Sequence, residues 1–374
     1  MDSSDPDIFF DNQGICNHCH RNMQWQLKQP SEDQKLVKLN KEINLIKLAG
    51  RNKPYDCLIG LSGGVDSSYV AYYVVKVLGL RPLAVHLDNG WNSEVSIQNI
   101  KSIVDRLKID LYTHVINWIE FKDMQRSFFK AGVVDIELLT DNAIMGVLFG
   151  QAEKHKIKYL ITGMNRATEF YPLPKQWRHN KYDVKNIKSI QKKFGTLKPK
   201  TFPYCGLKAR IKRSTPWGLQ DFRLLDFIPY NKNHVIEILR SELGWKPYGE
   251  KHFESIFTKI YQVYVLPKKF KFDKKRAHLS SLIWSSQISR DEALLEVKKS
   301  NVSPKELNED IEYLCKKLGF SKEEFERLMD SAPVSHFNYP NNQIWFDLVD
   351  KLYYIKKIYN YILKKLEKST HHII

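Results

Sequence analysis

The residues with the clearest chemical potential form one short stretch, Ser62-Gly63-Gly64-Val65-Asp66-Ser67-Ser68, which follows an apolar run. Glycines without side chains would let backbone N–H groups approach an anion closely. A helix beginning near Ser67 would add its unpaired N–H groups and the positive end of its dipole. Asp66 would repel a bare phosphate, so it favours a divalent cation between the carboxylate and the phosphate. The stretch therefore predicts a site for a metal-bound phosphate group.

Two considerations restrict this prediction. The stretch lacks the Gly-Lys-Ser/Thr of the usual P-loop, so it would be a different kind of phosphate turn. A plain glycine turn with Asp and Ser as helix caps is the structural alternative. The full seven-residue pattern favours phosphate, with hydroxyl hydrogen bonds donated by Ser62, Ser67 and Ser68.

Other polar residues follow later apolar runs. Thr162-Gly163 ends one of them, and Gly163 would permit close approach of a nucleotide. Glu169 could share the divalent cation with Asp66, although such an acid on its own is more often a surface residue. Asp88 ends another run and could meet an adenosine, although Asp is also a common turn former.

Strand-like and helix-like stretches alternate from Tyr55 onward. The sequence predicts strands over DCLIGL, RPLAVHLD, DLYTHVI and KYLITGMN, and helices over 67–78, SEVSIQNIKSIVDRLKI, 121–130 and 142–155. This alternation predicts an α/β fold with a parallel sheet covered on both faces. Because ligands bind at the carboxyl ends of such strands, we expect the loops after Leu61, Leu87 and Thr162 to converge on one site.

The pattern changes twice along the chain. Residues 170–218 are rich in Pro, Lys and Trp and weakly periodic, which fits either a segment that covers the substrate or a long surface loop. Beyond Asp221 the chain is mainly helical, and its last predicted helix spans 348–366. We therefore predict three regions: an N-terminal Cys-x-x-Cys segment and helix over 1–50, a nucleotide-binding domain over 51–220, and a helical substrate and assembly region over 221–374.

Composition restricts the class of protein. The 374 residues include 59 Lys and Arg against 42 Asp and Glu, a net charge of +17. This excess would attract nucleic acid, a membrane surface or phosphorylated substrates, and a plain lysine-rich surface explains it equally well. No apolar run approaches the roughly 18–20 residues of a membrane span, and no signal sequence follows Met1, so we expect a cytoplasmic protein without membrane contact. Five cysteines in so long a chain do not indicate a disulfide framework.

The stretch at 62–68 resembles the SGGxDS pyrophosphate loop of the ATP-pyrophosphatase (N-type) superfamily. That superfamily includes GMP, NAD and asparagine synthetases and tRNA-thiolating enzymes. The resemblance implies a Rossmann-like sheet of the adenine nucleotide alpha hydrolase type, with ATP and Mg²⁺ as cofactors. It also implies cleavage of ATP between its α- and β-phosphates and transfer of AMP to a carbonyl-type oxygen. The implied cofactor contacts are Ser62, Gly63, Gly64, Asp66, Ser67, Ser68, Asp88, Gly163, Asn165 and Glu169, with Asp66 and Glu169 as magnesium ligands.

A wider resemblance covers nearly the whole chain. SSDPDIFFDNQGICNHCHRN, TGMNRATE, TFPYC and the region from GWKPYGEKHFESIFTKIY to SSQISRDEAL together resemble the N-acetyl sugar amidotransferases of bacterial surface-polysaccharide synthesis. This implies conversion of an acetamido group on a nucleotide-linked sugar into an acetamidino group. It also implies ammonia from partner subunits similar to the glutaminase and cyclase of imidazole glycerol phosphate synthase.

The same resemblance, together with the affinity of basic side chains for phosphate and carboxylate, implies a set of substrate contacts. These are His252, Glu254, Lys275, Arg276 and His278, of which Lys275 and Arg276 are also expected to be catalytic. A solvated lysine face is the alternative for the basic pair. The sequence shows neither a serine or cysteine triad nor a glutaminase motif, so ammonia is expected from another chain.

Cys16-x-x-Cys19 has the spacing of a zinc knuckle, but a structural zinc ion needs four ligands. We predict zinc ligation by Cys16 and Cys19, with Cys205, His18 and His20 as candidates for the remaining positions. Two unligated cysteines are the alternative.

Two other functions stay open at this point. A tRNA-thiolating relative is favoured by the same loop, the Cys-x-x-Cys and the basic charge, although no second Cys-x-x-Cys is present for sulfur chemistry. Nucleic acid is therefore not the expected partner. A nucleotide-binding regulatory protein without catalysis is the third function, and the intact Asp66 argues against it.

Overall fold

A computed structural model describes residues 1–169, 173–215, 217–249, 251–300 and 302–352, and a β-sheet is its central element. The strands of this sheet are β1 (Cys57–Gly60), β2 (Pro82–Asp88), β3 (Asp110–Val115), β4 (Tyr159–Thr162) and β5 (Gln220–Arg223). They lie in the order β3-β2-β1-β4-β5, and every neighbouring pair is parallel. The predicted parallel α/β sheet is confirmed.

The sheet is buried on both faces. Along β1, the neighbouring residues Leu58 and Ile59 are fully buried and belong to two different hydrophobic cores. Successive side chains of a strand point to opposite faces, so one core lies on each side of the sheet. Strands covered in this way are continuous apolar runs, which explains why DCLIGL and RPLAVHLD were recognisable in the sequence.

Helices cover the sheet and form most of the C-terminal region. Those before β5 are α1 (Asn17–Gln26), α2 (Glu32–Gly50), α3 (Val65–Tyr72), α4 (Glu94–Leu107), α5 (Trp118–Ala131), α6 (Leu138–Lys154), α7 (Val184–Phe194) and α8 (Leu207–Arg213). Those after β5 are α9 (Lys232–Leu243), α10 (Ile256–Ile260), α11 (Leu266–Phe270), α12 (Lys274–Trp284), α13 (Arg290–Lys298), α14 (Pro304–Leu318) and α15 (Lys322–Asp330). The π-helical segments Tyr73–Val77 and Tyr261–Val265 continue α3 and α10. None of the described helices is both long and apolar enough to cross a membrane.

The structure departs from the sequence predictions in two places, and a third prediction falls largely outside the described residues. The segment 170–218, predicted to be irregular, contains helices α7 and α8 among its described residues. Strand β5 was not predicted, and it carries the sheet across the boundary that we placed after residue 220. The final predicted helix, 348–366, lies outside the described residues beyond position 352.

Buried polar contacts hold the segment before α7 against the rest of the molecule. The Asp135 carboxylate accepts a hydrogen bond from the His179 backbone N–H at 2.8 Å and pairs with Lys181 Nζ at 2.8 Å. The His179 ring stacks on His336, with the ring centres 4.4 Å apart. These contacts join residues far apart in the chain, so no local sequence pattern reveals them.

We expect Asp135→Ala to lower the free energy of unfolding by about 3 kcal/mol, because it leaves the His179 amide and the Lys181 ammonium without their buried partner. Asp141→Ala removes a second carboxylate, 2.7 Å from the same Lys181 ammonium, and serves as the matched control. The Asp141 side chain is 45% exposed, so its loss should cost less than about 1 kcal/mol. Urea unfolding followed by circular dichroism measures both values, and equal losses would contradict the anchoring role of Asp135.

The difference in the free energy of unfolding between wild type and Asp135→Ala should also depend on pH. Burial would raise the pKa of Asp135, but the charge of Lys181 and the His179 N–H bond hold it below the usual value. A carboxylate with a lowered folded-state pKa stabilises the fold above its unfolded-state pKa, and this contribution is lost as the pH falls through the folded-state pKa. The stability gap between wild type and Asp135→Ala should therefore be constant near neutral pH and shrink below about pH 4.

Candidate nucleotide-binding site

The turn between β1 and α3 is shaped by Gly63. Its φ angle is +78°, and a Cβ atom at this position would overlap the Ser96 carbonyl oxygen. The Gly63 carbonyl accepts hydrogen bonds from Trp245 Nε1 at 2.9 Å and from Asn99 Nδ2 at 3.3 Å. The turn is thus held by α4 on one side and by the chain after α9 on the other.

Gly64 occupies the N-cap of α3 and has no side chain to accept hydrogen bonds from the first-turn N–H groups. Such groups are the usual donors of an anion site at a helix N-terminus. Three serines surround the turn. Ser62 and Ser67 line the cleft above it, whereas the fully buried Ser68 hydroxyl donates to the Gly64 carbonyl oxygen at 2.6 Å and stabilises the turn from behind.

The cleft lies where the loops after β1 and β4 meet. These two strands are adjacent in the sheet, and β4 follows β3 in the chain but returns to the opposite side of β1. The chain reversal makes this position the topological switch point, where ligands of open α/β sheets bind. Gly163, after β4, packs so closely on Asp66 that an added Cβ would lie 3.1 Å from the Asp66 Cβ. The predicted residues brought together in the cleft are Ser62, Gly64, Asp66, Ser67, Gly163, Glu169, His252 and Glu254.

Two carboxylates in the cleft share one cationic side chain. Lys251 Nζ lies 2.8 Å from Asp66 Oδ2 and 3.5 Å from Glu169 Oε1, and it donates to Thr168 Oγ1 at 3.0 Å. The Tyr230 hydroxyl donates to the other oxygen of Asp66. Burial would raise the pKa of Asp66, but Lys251 and the Tyr230 hydroxyl keep it below the usual value. Asp66 is therefore ionised at neutral pH, and the pKa of Lys251 is raised by Asp66 and Glu169 against the effect of its burial.

These residues fit a divalent cation with a nucleotide. Asp66 and Glu169 already converge on one cation, and Mg²⁺ in nucleotide sites usually takes one or two protein carboxylates and completes its shell with phosphates and water. Glu254 supplies a third carboxylate, and its Oε2 atom is buried without a hydrogen-bond partner among the described residues. The same residue brings its Oε1 within 3.1 Å of a Cβ built on Gly64, so a side chain at position 64 would fill the cradle.

The described residues of 245–249 and 251–254 cover the turn. The Tyr248 hydroxyl accepts a hydrogen bond from the Val65 backbone N–H at 3.1 Å, at the first residue of α3. Burial and the neighbouring Glu254 charge raise the pKa of Tyr248 well above its usual value, so its hydroxyl remains protonated. His252 has a φ of +70°, uncommon outside glycine, and its Nδ1 lies 3.7 Å from Glu254 Oε1.

Some predicted site residues lie next to the cleft and support it from outside. The Gly63 carbonyl is held as described above, and Asn165 fixes the loop after β4 by accepting from the Thr168 N–H at 2.8 Å. The His278 ring lies behind His252, with the ring centres 5.5 Å apart. Asp88 accepts from the Gly90 N–H at 2.9 Å and does not line the cleft.

The predicted basic pair is not brought to the cleft. Lys275 Nζ lies 3.4 Å from Glu296 on α13, and Arg276 Nη1 lies 3.0 Å from Asp2 in the N-terminal segment. Neither side chain lines the cleft, where the basic residues among the described lining residues are Lys232, Lys251 and His252. The expectation that Lys275 and Arg276 are catalytic has no support in this geometry.

The predicted zinc site is a further correction. Cys16 Sγ and Cys19 Sγ lie 3.5 Å apart, whereas Cys205 is buried among the apolar side chains of one hydrophobic core. His18 and His20 pair instead with Asp5 at 2.5 Å and Asp11 at 2.6 Å. Across the described ranges, no three His, Cys, Asp or Glu side chains are grouped to hold a metal ion. Zinc is therefore not supported.

Several residues of the cleft escaped prediction from the sequence. Tyr230, Lys232, Tyr248 and Lys251 all come from the chain after β5, and Thr168 follows β4. Tyr248 and Lys251 lie within WKPYGEKHFES, which carries part of the wider resemblance, so their region was indicated but not their roles. Nothing in the local sequence marks Tyr230.

Two protein families match different parts of the chain. Residues 44–172, which include the glycine turn and β1 to β4, match the family of NAD synthase. Residues 254–353 match the family described as LPS biosynthesis protein WbpG-like, C-terminal domain. Each match covers less than half of the chain, and the two meet at the cleft, because Glu254 is the first residue of the second match.

Curated relatives match the same N-terminal part. The chain is 35% identical over 128 residues to one subunit of the glutamine-hydrolysing GMP synthase of Archaeoglobus fulgidus, covering 32% of this chain and 38% of the relative. It is 32% identical over 130 residues to the NH₃-dependent NAD⁺ synthetase of Fusobacterium nucleatum, covering 33% of this chain and 46% of the relative. The chain spans less than half the length of these relatives. Together with the NAD synthase match, they support membership of the ATP-pyrophosphatase superfamily.

Solved structures with weaker likeness include two enzymes. NMN synthetase from Francisella tularensis is 18% identical, with 74% of this chain and 99% of that chain covered and a TM-score of 0.36. The U34-tRNA thiolase NcsA from Methanococcus maripaludis is 16% identical, with 70% and 80% covered and a TM-score of 0.33.

Gly63→Ala should destabilise the protein and weaken ATP binding, because the new methyl group would overlap the Ser96 carbonyl oxygen in addition to the strain of a positive φ. Gly79→Ala is the matched control, since Gly79 also has a positive φ (+59°) but has no atom within 4 Å of an added Cβ. The control should lose about 1–2 kcal/mol, the strain term alone, and Gly63→Ala at least about 2 kcal/mol more. Thermal unfolding and ATP titration measure the two effects, and equal losses would show that the Ser96 contact is unimportant.

Proposed function

We propose that this chain is an ATP-dependent amidotransferase that converts an acetamido group of a nucleotide-linked sugar into an acetamidino group. The observation that carries the proposal is the composition of the cleft. The glycine turn, within the NAD synthase match, faces Glu254, the first residue of the WbpG-like match. A turn within the NAD synthase match and a region that matches the WbpG-like C-terminal domain thus contribute side chains to one site, which supports sugar modification in surface-polysaccharide synthesis.

The proposed reaction has two steps. The acetamido oxygen attacks the α-phosphorus of ATP, which forms an O-adenylated imidate and releases pyrophosphate. Ammonia then attacks the imidate carbon, and AMP leaves with the original amide oxygen, so that an amidine and a proton remain. An unactivated amide resists this exchange because its carbonyl carbon is a poor electrophile.

Residues of the cleft have separate tasks in this scheme. The first-turn N–H groups of α3 bind the pyrophosphate portion, and Asp66 and Glu169 would hold Mg²⁺, which neutralises phosphate charge when bound. Lys232 and Lys251 supply positive charge on the side of the C-terminal region. Tyr230 holds the Asp66 carboxylate in place through its hydroxyl. The enzyme therefore acts by positioning and by charge stabilisation.

The direct test is incubation of the protein with candidate nucleotide sugars, ATP, Mg²⁺ and ammonium chloride, followed by mass spectrometry. The expected product is lighter than the substrate by the difference between an oxygen atom and an NH group. A tRNA-modifying enzyme is the second candidate, because the described residues of 173–215 contain many lysines and arginines and a single acid, Asp183. A tRNA gel shift that persists near physiological ionic strength, with no product from any nucleotide sugar, would favour that candidate.

Asp66→Asn should reduce substrate-dependent ATP–pyrophosphate exchange by at least about 10²-fold, since even residues that only orient metal ligands contribute about 10–100-fold. Asp88→Asn is the matched control, because Asp88, the last residue of β2, is also an acid that follows an apolar strand run, but it accepts from the Gly90 amide outside the cleft. Its exchange rate should stay near that of wild type. Normal exchange by Asp66→Asn, with native circular dichroism, would refute the assignment of Asp66.

The source of ammonia gives a further test. We propose separate glutaminase and cyclase-like partner subunits, so the isolated chain should use ammonium and fail with glutamine. Since NH₃ is the nucleophile and its conjugate acid titrates well above neutrality, turnover at fixed total ammonium should rise from about pH 7 to about pH 9. Added partner subunits should restore glutamine use and flatten this pH profile. Efficient use of glutamine by the chain alone would overturn the partner proposal.

A further inference from the structure

Anion binding in the cleft does not by itself explain where the Lys251 side chain lies. Its ammonium contacts two carboxylates, Asp66 at 2.8 Å and Glu169 at 3.5 Å. These are the two carboxylates that fit a divalent cation. An ammonium and a divalent cation at such distances from the same carboxylates would repel each other strongly in a partly buried cleft. Asp66 and Glu169 therefore pair with either the Lys251 ammonium or a divalent cation, and not with both at once.

The chain that carries Lys251 forms an arch, described at residues 247–249 and 251–252, with fixed ends. Before it, the Lys246 N–H donates to Asn99 Oδ1 at 2.8 Å. After it, the Glu254 carbonyl accepts from the Ser93 N–H at 2.9 Å. Within it, Gly249 and His252 have φ angles of +96° and +70°. The arch is thus tied at both ends and contains backbone conformations of the kind found at functional and switching sites.

A second side chain of the arch, that of Tyr248, contacts the glycine turn. The Tyr248 hydroxyl oxygen accepts from the Val65 N–H at 3.1 Å, and this amide belongs to the first turn of α3, where a phosphate oxygen would bind. The arch therefore offers the site an oxygen acceptor for the helix N-terminus and a cation for the carboxylates. A metal-bound phosphate would offer the same two groups.

We propose that Lys251 is the exchangeable counter-ion of the nucleotide site. Without a metal, Lys251 balances Asp66 and Glu169. When these carboxylates hold a divalent cation instead, Lys251 turns to the nucleotide phosphates and neutralises charge on the departing pyrophosphate. This inference rests on the proposed ATP site and adds to it the residue that moves and the direction of the charge exchange.

The test uses Lys251→Met, which keeps an unbranched side chain only one atom shorter and removes its charge, in the full-length protein. Mn²⁺ without nucleotide should bind this variant about tenfold more tightly than wild type, because the competing ammonium is gone. ATP with Mg²⁺ should bind it about tenfold more weakly, because a cation for the phosphates is lost. Electron paramagnetic resonance of free Mn²⁺ measures the first affinity and titration calorimetry the second. Lys251→Arg should resemble wild type in both.

Lys259→Met is the matched control. Lys259 is buried to the same extent (12% exposed against 14% for Lys251) and also pairs with two carboxylates, Glu306 and Asp310, but it lies outside the cleft. Lys259→Met should leave the affinities for Mn²⁺ and for ATP with Mg²⁺ unchanged. Tighter Mn²⁺ binding with weaker ATP binding, in Lys251→Met alone, supports the exchange. Unchanged affinities, or weakening of both, overturn it. Failure of wild type to bind ATP at all would instead refute the proposed function.

Discussion

The backbone carbonyl of Gly63 is the point on which the site depends. Two side chains donate to it, the Asn99 amide from α4 and the Trp245 indole from the chain after α9. Asn99 also exchanges two hydrogen bonds with the backbone of Lys246, at 2.8 Å each. One buried polar group thus connects the glycine turn, a helix that covers the sheet and the start of the covering segment. A buried carbonyl without these donors would be costly, so the three elements are fixed together.

Electrostatic balance is the second constraint. The cleft contains Asp66, Glu169 and Glu254 beside a helix N-terminus suited to anions, and carboxylates so close together repel one another and any phosphate. Lys251 and the Tyr230 hydroxyl offset this repulsion at Asp66, whereas Glu254 Oε2 has no hydrogen-bond partner among the described residues. This balance suits the proposed function, because a metal–nucleotide complex would bring a cation together with its phosphates.

Local sequence patterns were sufficient to predict strands β1 to β4 and the glycine turn after β1. Each of these features is recognisable within a single short stretch of sequence. The stretches are the apolar runs of β1 and β2 and the seven residues 62–68. Strand β5 has only four residues, and its stability comes from pairing with β4 rather than from its own pattern. Lys251 and Tyr230 reach Asp66 from 185 and 164 positions away in the chain, so only the folded structure identifies them. The basic pair Lys275 and Arg276 lies outside the cleft, paired with Glu296 and Asp2, and no local sequence pattern indicates these partners.

The two family-matched regions meet at one cleft, so replacement of one region by recombination is limited by its contacts with the other. Trp245 and Tyr248 precede the WbpG-like match, yet both contact the glycine turn, and Glu254 is the first residue of that match. A C-terminal region acquired from a different relative would bring its own partners for the turn, and the indole, hydroxyl and carboxylate would have to be replaced as a set. The two halves are therefore expected to be inherited together, and recombination within this lineage should tolerate crossovers in peripheral helices far better than at the junction near residue 245.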